Sequence, residues 1–208
     1  MLCGAKHYQP EPGGDGPSWL TLHAKDSLWC IDLFRVESIW LRSFWVLVVM
    51  DLFTRRIIGF GIEPAWIDGV SACRMFNCAT AGHTKPQRLS TDHDPLFRFH
   101  RWLANLRVLE IEEIKSVRYA PISYPFVDPL IGTIRREYLD RVFFWNRVDL
   151  ARQLAEFRDY YNRYRVHRAL DGTPPAQRAG FSGPTLAAVA SYGWRQHCRA
   201  LFQTPVRA

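Results

Sequence analysis

Leu28-Trp29-Cys30-Ile31-Asp32-Leu33-Phe34 is an apolar run with one acid inside it. Such a run reads as a buried strand. A carboxylate in a strand core is costly unless something positive meets it. Two further acids raise the same question. Asp92 ends the short run Gln87-Arg88-Leu89-Ser90-Thr91-Asp92. Asp128 opens the helical stretch Asp128-Pro129-Leu130-Ile131-Gly132-Thr133-Ile134-Arg135-Arg136-Glu137, and 35 residues lie between the two. Two strand acids and one helix-start acid that converged could hold a pair of Mg²⁺ ions, the equipment for breaking and joining phosphodiesters.

Outward from these acids, the chain punctuates itself into elements. Strands are expected over Trp29–Arg35, Trp45–Met50 and Arg56–Ile62, with Asp51-Leu52-Phe53-Thr54-Arg55 as a tight connection and Asp51 as a turn residue. Asp68 is a helix N-cap before a run stopped at Gly82, and Asp94-Pro95 starts the next helix through Phe97, Trp102 and Leu106. Val108 to Ile114 alternates apolar and acidic residues, the pattern of a half-exposed strand. A helix over Pro129–Val142 carries Leu130, Ile134 and Tyr138 on one face. Another follows Asn146, with a stripe of Leu150, Leu154, Phe157 and Tyr161. Antiparallel strands first and alternating units after imply an α/β fold: a five-stranded mixed sheet with helices on both faces. Residues 1–27 read as an irregular leader, 28–170 as the core, and 171–208 as a basic, loosely packed C-terminal tail.

Composition narrows the function classes. Of 208 residues, 48% are hydrophobic, which suits a folded globule. The longest uncharged apolar run, Phe44 to Met50, is too short to span a membrane, and no hydrophobic leader precedes it. The expected location is therefore the cytoplasm, with no membrane partner. Five cysteines without a CxxC pair fit neither a zinc ribbon nor a disulfide framework. The net charge of +7 resides wholly after residue 128, where thirteen cations, all arginine, face six acids. Arginine in that excess favours bidentate phosphate contact, although a charge run is also an ordinary solvated face. His93 and His167 read as structural hydrogen-bonding residues, and Trp145 and Tyr160 as packing residues.

At this point the chain resembles the catalytic core of the retroviral-integrase superfamily, and in particular bacterial insertion-sequence transposases of the three-acid (DDE) type. The carriers are Trp29-Cys30-Ile31-Asp32, Val46 through Arg56, Ser90-Thr91-Asp92, Ile131 through Glu137, and Tyr161-Asn162 through Arg165, His167, Leu170 and Pro175. The resemblance implies a ribonuclease-H-like fold and a polynucleotidyl transferase that integrates or transposes DNA. It implies that Asp32 bridges two Mg²⁺ ions (Mn²⁺ as substitute), while Asp92 and Asp128 each hold one. Arg135, Arg136 and Arg165 are the expected nucleic-acid contacts. It further implies DNA partners (element ends and target), a homodimer or larger synaptic assembly, and a bacterial, nucleoid-associated setting. No helix-turn-helix is expected in the leader, so recognition of element ends would come from elsewhere.

Two departures leave an alternative open. The third acid is Asp128 where the family's usual pattern has Glu, so its carboxylate reaches one methylene less. Pro129 biases the residue before it away from helical backbone, which would make Asp128 an N-cap whose oxygens bond backbone N–H groups rather than metal. The alternative is a catalytically inactive transposase remnant that binds DNA or a partner transposase. Glu137, nine residues on, lies about 13 Å further along a helix and is too far to substitute.

Overall fold

The structure, a computed structural model, describes residues 26–64, 66–115, 127–181 and 192–207. Five strands form one sheet: β1 (Leu28–Glu37), β2 (Ser43–Asp51), β3 (Ile57–Pro64), β4 (Arg88–Thr91) and β5 (Glu112–Lys115). Their order is β3-β2-β1-β4-β5. The first three are an antiparallel meander, while β4 and β5 run parallel to β1. The expected mixed five-stranded sheet is therefore present. β2 is almost continuously buried because helices cover both faces, so its Val/Leu run does not alternate. Its Val46, Val48 and Met50 enter one core and Leu47 and Val49 the other.

Helices α1 (Gly69–Ala79) and α2 (His100–Val108) cover one face. Asp68 caps α1 by accepting the Ser71 N–H at 2.7 Å, as its sequence position predicts. The other face carries α3 (Val127–Thr133), a wider π-helical turn over Ile134–Tyr138, and α4 (Arg147–Arg163). Leu130, Ile134 and Tyr138 are all buried there, with Leu150, Leu154, Phe157 and Tyr161. Asn146 caps α4 through the Asp149 N–H at 2.9 Å.

Several expectations change. The strand read over Val108–Ile114 is only β5, because Val108 still belongs to α2. The chain then closes that helix with Ile111 N–H on Leu106 O and a positive φ at Glu110. Val108, 82% exposed, and Ile111, 6% exposed, lie on opposite sides of that helix stop, which mimics strand alternation. The helix expected from Asp94 is broken at Phe99 into a short 3-10 turn, Pro95–Arg98, and α2. Asp51 is more than a turn residue. It is fully buried and its carboxylate accepts both the N–H and hydroxyl of Thr54, allowing Arg55 to turn at positive φ. The C-terminal part is not loose over 192–207. After α5 (Pro175–Arg178), β6 (Tyr192–His197) and β7 (Phe202–Arg207) form a hairpin, and Phe202 stacks on Tyr160 at 4.1 Å. Tyr160 is thus a packing residue as read, whereas Trp145 is half-exposed against Trp40. The expected irregular leader falls on residues 1–27, of which 1–25 lie outside the described residues.

Candidate active site

Parallel pairing of β1 with β4 decides the placement of the first two acids. Leu28 pairs with Arg88, Trp29 with Leu89 and Cys30 with Ser90. Two residues beyond the last pair stand Asp32, still in β1, and Asp92, just past the end of β4. Asp32 is partly buried, and its Oδ1 accepts the Leu33 N–H at 2.7 Å. Side chains alternate along a strand, so Asp32 shares the face of Cys30, Phe34 and Val36. That is the face on which Leu130 and Ile134 pack, and α3 lies against β1 there.

Asp92 leaves the end of β4 and turns the chain by accepting the Asp94 N–H at 3.0 Å. Burial raises its carboxyl above the ordinary range. The charge of Asp94 adds to that, and Lys115 and His93 oppose it. Behind it the strand end is braced by Lys115, whose ammonium donates to Thr91 Oγ1 (2.9 Å), Glu113 Oε1 (2.6 Å) and Phe97 O (3.1 Å). Trp102 Nε1 and Thr91 Oγ1 also donate to Glu113 Oε1. Two hard carboxylates, one of them destabilised by burial, suit a divalent cation with oxygen preference.

The third acid sits differently from the N-cap expectation. Helix α3 begins at Val127, so the Asp128 backbone is already helical and Pro129 occupies the first turn. Proline is tolerated there because a first-turn N–H has no helical acceptor to lose. The Asp128 side chain lies outside the described residues. Among the described residues no three His, Cys, Asp or Glu side chains group as a metal cage.

The three expected arginine contacts separate. Arg135 and Arg136 are exposed on the π-helical turn. Arg135 reaches back over β1, donating to Arg35 O at 2.9 Å with its guanidinium 5.6 Å from the Phe34 ring. Arg136 folds over Gly132, where a Cβ would stand 2.8 Å from its Nη1. Arg165 is instead clamped by Glu137, at 2.9 and 2.6 Å, and lies over the Tyr161 ring. Burial and the Arg165 charge push the neighbouring His167 down to about 4, so its ring is neutral at pH 7. Sequence reasoning had Glu137 and Arg165 separately but no signal to pair them across 28 positions. It also missed Lys115, and it left Asn162 as a motif letter. Asn162 closes the β3 edge, accepting the Ile57 N–H at 2.9 Å and donating to Ile57 O at 2.8 Å.

Comparison with known proteins bears on the fold. Residues 110–175 match the integrase core domain family. The chain is 26% identical, over 168 residues, to an uncharacterized 39.2 kDa protein of insertion element IS476 from Xanthomonas euvesicatoria. That match takes in 81% of the chain but 48% of the relative, so the chain spans about half the length of that curated protein. The fold matches a chain of the simian T-cell lymphotropic virus intasome in complex with PP2A regulatory subunit B56 gamma. The TM-score is 0.63 at 15% identity, over 81% of this chain and 62% of that one. It also matches the HTLV-2 integrase catalytic core domain in complex with magnesium, in its dimeric form. The TM-score there is 0.55 at 15% identity, over 74% and 95% of the two chains. The fold is thus ribonuclease-H-like, as the integrase cores have it.

Proposed function

We propose, from the premise that this chain belongs to the integrase superfamily and is of the insertion-element kind, that it joins DNA strands by metal-dependent transesterification. The family is one of DNA integration and transposition. One observation supports the finer reading: β1 and β4 pair in parallel up to Cys30 and Ser90, two residues short of Asp32 and Asp92, and α3 packs on the Asp32 face. In this reading Asp32, Asp92 and Asp128 hold two Mg²⁺ ions, for which Mn²⁺ can substitute. Bound metal would supply Lewis acidity to the attacking and leaving oxygens of an in-line displacement. A 3′-hydroxyl oxygen forms the new bond to phosphorus, its proton leaves to solvent, and the old phosphodiester oxygen departs as a new 3′-end.

The chain's own residues position this reaction. Lys115 and Glu113 stiffen the end of β4, so Asp92 approaches from a fixed backbone. Arg135, which lies over the Phe34 ring of β1, and the exposed Arg136 are the phosphate contacts in this reading. Arg165 would reach DNA only by leaving Glu137. Partners in this reading are element ends, target DNA and further copies of the chain, at the nucleoid of a bacterial cytoplasm.

The test is a strand-joining assay with labelled oligonucleotide ends in Mg²⁺ and Mn²⁺. Asp32→Asn is expected to abolish joining with the melting temperature within a few degrees of the parent. Joining that survives this substitution overturns the reading. The alternative, an inactive remnant that binds DNA or a partner transposase, draws on the shorter reach of Asp128. Its N-cap argument is weakened by a helix that already includes residue 128. If the parent is inert and the Asp128→Glu variant joins strands, the remnant reading holds.

A further inference from the structure

One described cleft lies away from the acids. It has a volume of about 490 Å³, opens to solvent, and sits at the β3 edge of the sheet, opposite the edge that carries β4 and β5. Its walls come from the start of β3, the C-terminal half of α4, α5 and β6. Four arginines line it, namely Arg56, Arg158, Arg163 and Arg195, against one acid, Asp159. We propose that this cleft is a second DNA-contact site, seating a phosphodiester backbone that does not pass through the Asp32–Asp92 centre.

Charge is the first argument. Arg56 is held by Asp26 at 3.2 Å, yet its Nε is buried and meets no acceptor among the described residues. Arg158 holds Asp159 only at 3.4 Å. Arg195 spends one N–H on the Tyr164 hydroxyl at 2.7 Å, and Arg163 is exposed beside it. Four guanidiniums against two carboxylates leave the cleft positive, and an anion relieves that repulsion. His83 stands in the same wall, and burial first, then the charges of Arg56 and Arg158, lower its ring below the ordinary histidine value.

Shape is the second. A peptide could add to the exposed edge of β3 by strand pairing, but Asn162 already occupies both the N–H and C=O of Ile57. The flat rings beside the cations, Phe181 under Arg56 and Tyr164 beside Arg195, provide surfaces for sugars or bases. An open cleft suits a strand passing through better than an enclosed mononucleotide.

The inference takes its ligand class from the strand-joining reading, but its test does not require joining. Binding of a fluorescein-labelled duplex is followed by anisotropy from 50 to 300 mM NaCl. Each phosphate contact contributes about 0.9 to the slope of log K against log salt. The double variant Arg163→Ala with Arg195→Ala is expected to flatten the slope by about 1.8, and Arg163→Lys with Arg195→Lys to restore it. The binding titrations are run in EDTA and read no strand joining, so a failed catalytic reading and a failed cleft are separable. An unchanged slope in the folded alanine variant overturns the site. So does an equal shift of the His83 ring resonances by inorganic phosphate or dAMP at the same micromolar concentrations, which marks a free-anion pocket. Loss of self-association in the alanine variant with no change of slope marks a contact between copies, and also overturns it.

Discussion

Gly61→Ala tests how the sheet and α1 are held together. A Cβ at residue 61 would lie 2.3 Å from Met75 O and 2.6 Å from its C and Cα, all of them backbone atoms. Ordinary carbon contacts begin near 3.4 Å, so helix and strand must part by roughly 1 Å, since no flexible side chain can swing aside. A gap of that size forfeits about a quarter to a half of the dispersion wells across the interface. Met75 and Phe76, which α1 buries there, are each worth about 1.5–3 kcal/mol when fully buried. Losing a third of that, plus overpacking strain of about 1–3 kcal/mol, comes to about 3 kcal/mol. For a chain of this size that lowers Tm by about 6–12 °C. Differential scanning calorimetry reads the shift. Gly193→Ala, where an added Cβ meets nothing within 4 Å, is the control and should stay within about 2 °C. A Gly61→Ala protein that melts with the parent, with hydrogen exchange in α1 unaltered, refutes the close-approach argument.

Two further outcomes follow from the same contacts. Asn162→Ala removes both bonds to Ile57 and leaves that edge N–H and C=O to water; about 2 kcal/mol of stability is lost, read as a urea midpoint shift with m unchanged. His167 is held at about 4 against an ordinary 6.5, so between those values the unfolded chain binds the extra proton and stability climbs as pH rises. Its contribution is complete above 6.5 and lost on acidification through that window. Discounted for partial exposure it amounts to about 1–2 kcal/mol, and His167→Gln should remove that part of the pH slope in urea titrations at pH 4.5 and 7. A variant with the parent slope would exclude His167 as its source.

Much of the architecture was legible because apolar periodicity is local. The unbroken run from Phe44 to Met50 announces a strand covered on both faces. Leu130, Ile134 and Tyr138 announce one helix face even though the backbone widens to a π turn midway. Periodicity misled where a helix stop imitated alternation, at Val108–Ile111. It was silent where an element depends on distant partners: the β6–β7 hairpin is exposed along much of its length and is docked by Phe202 on Tyr160.

The chain alone determined the three candidate acids, their order and the spacing of 35 residues between Asp92 and Asp128, because residue identity and sequence separation are carried by the polymer itself. Only the tertiary structure decided that β1, which carries Asp32, and β4, which leads into Asp92, are adjacent and parallel, that Glu137 occupies Arg165, and that four scattered arginines wall one cleft. Strand register and ion pairing between remote segments depend on how whole faces pack. Local side-chain pattern states which face is apolar but not which other face it meets.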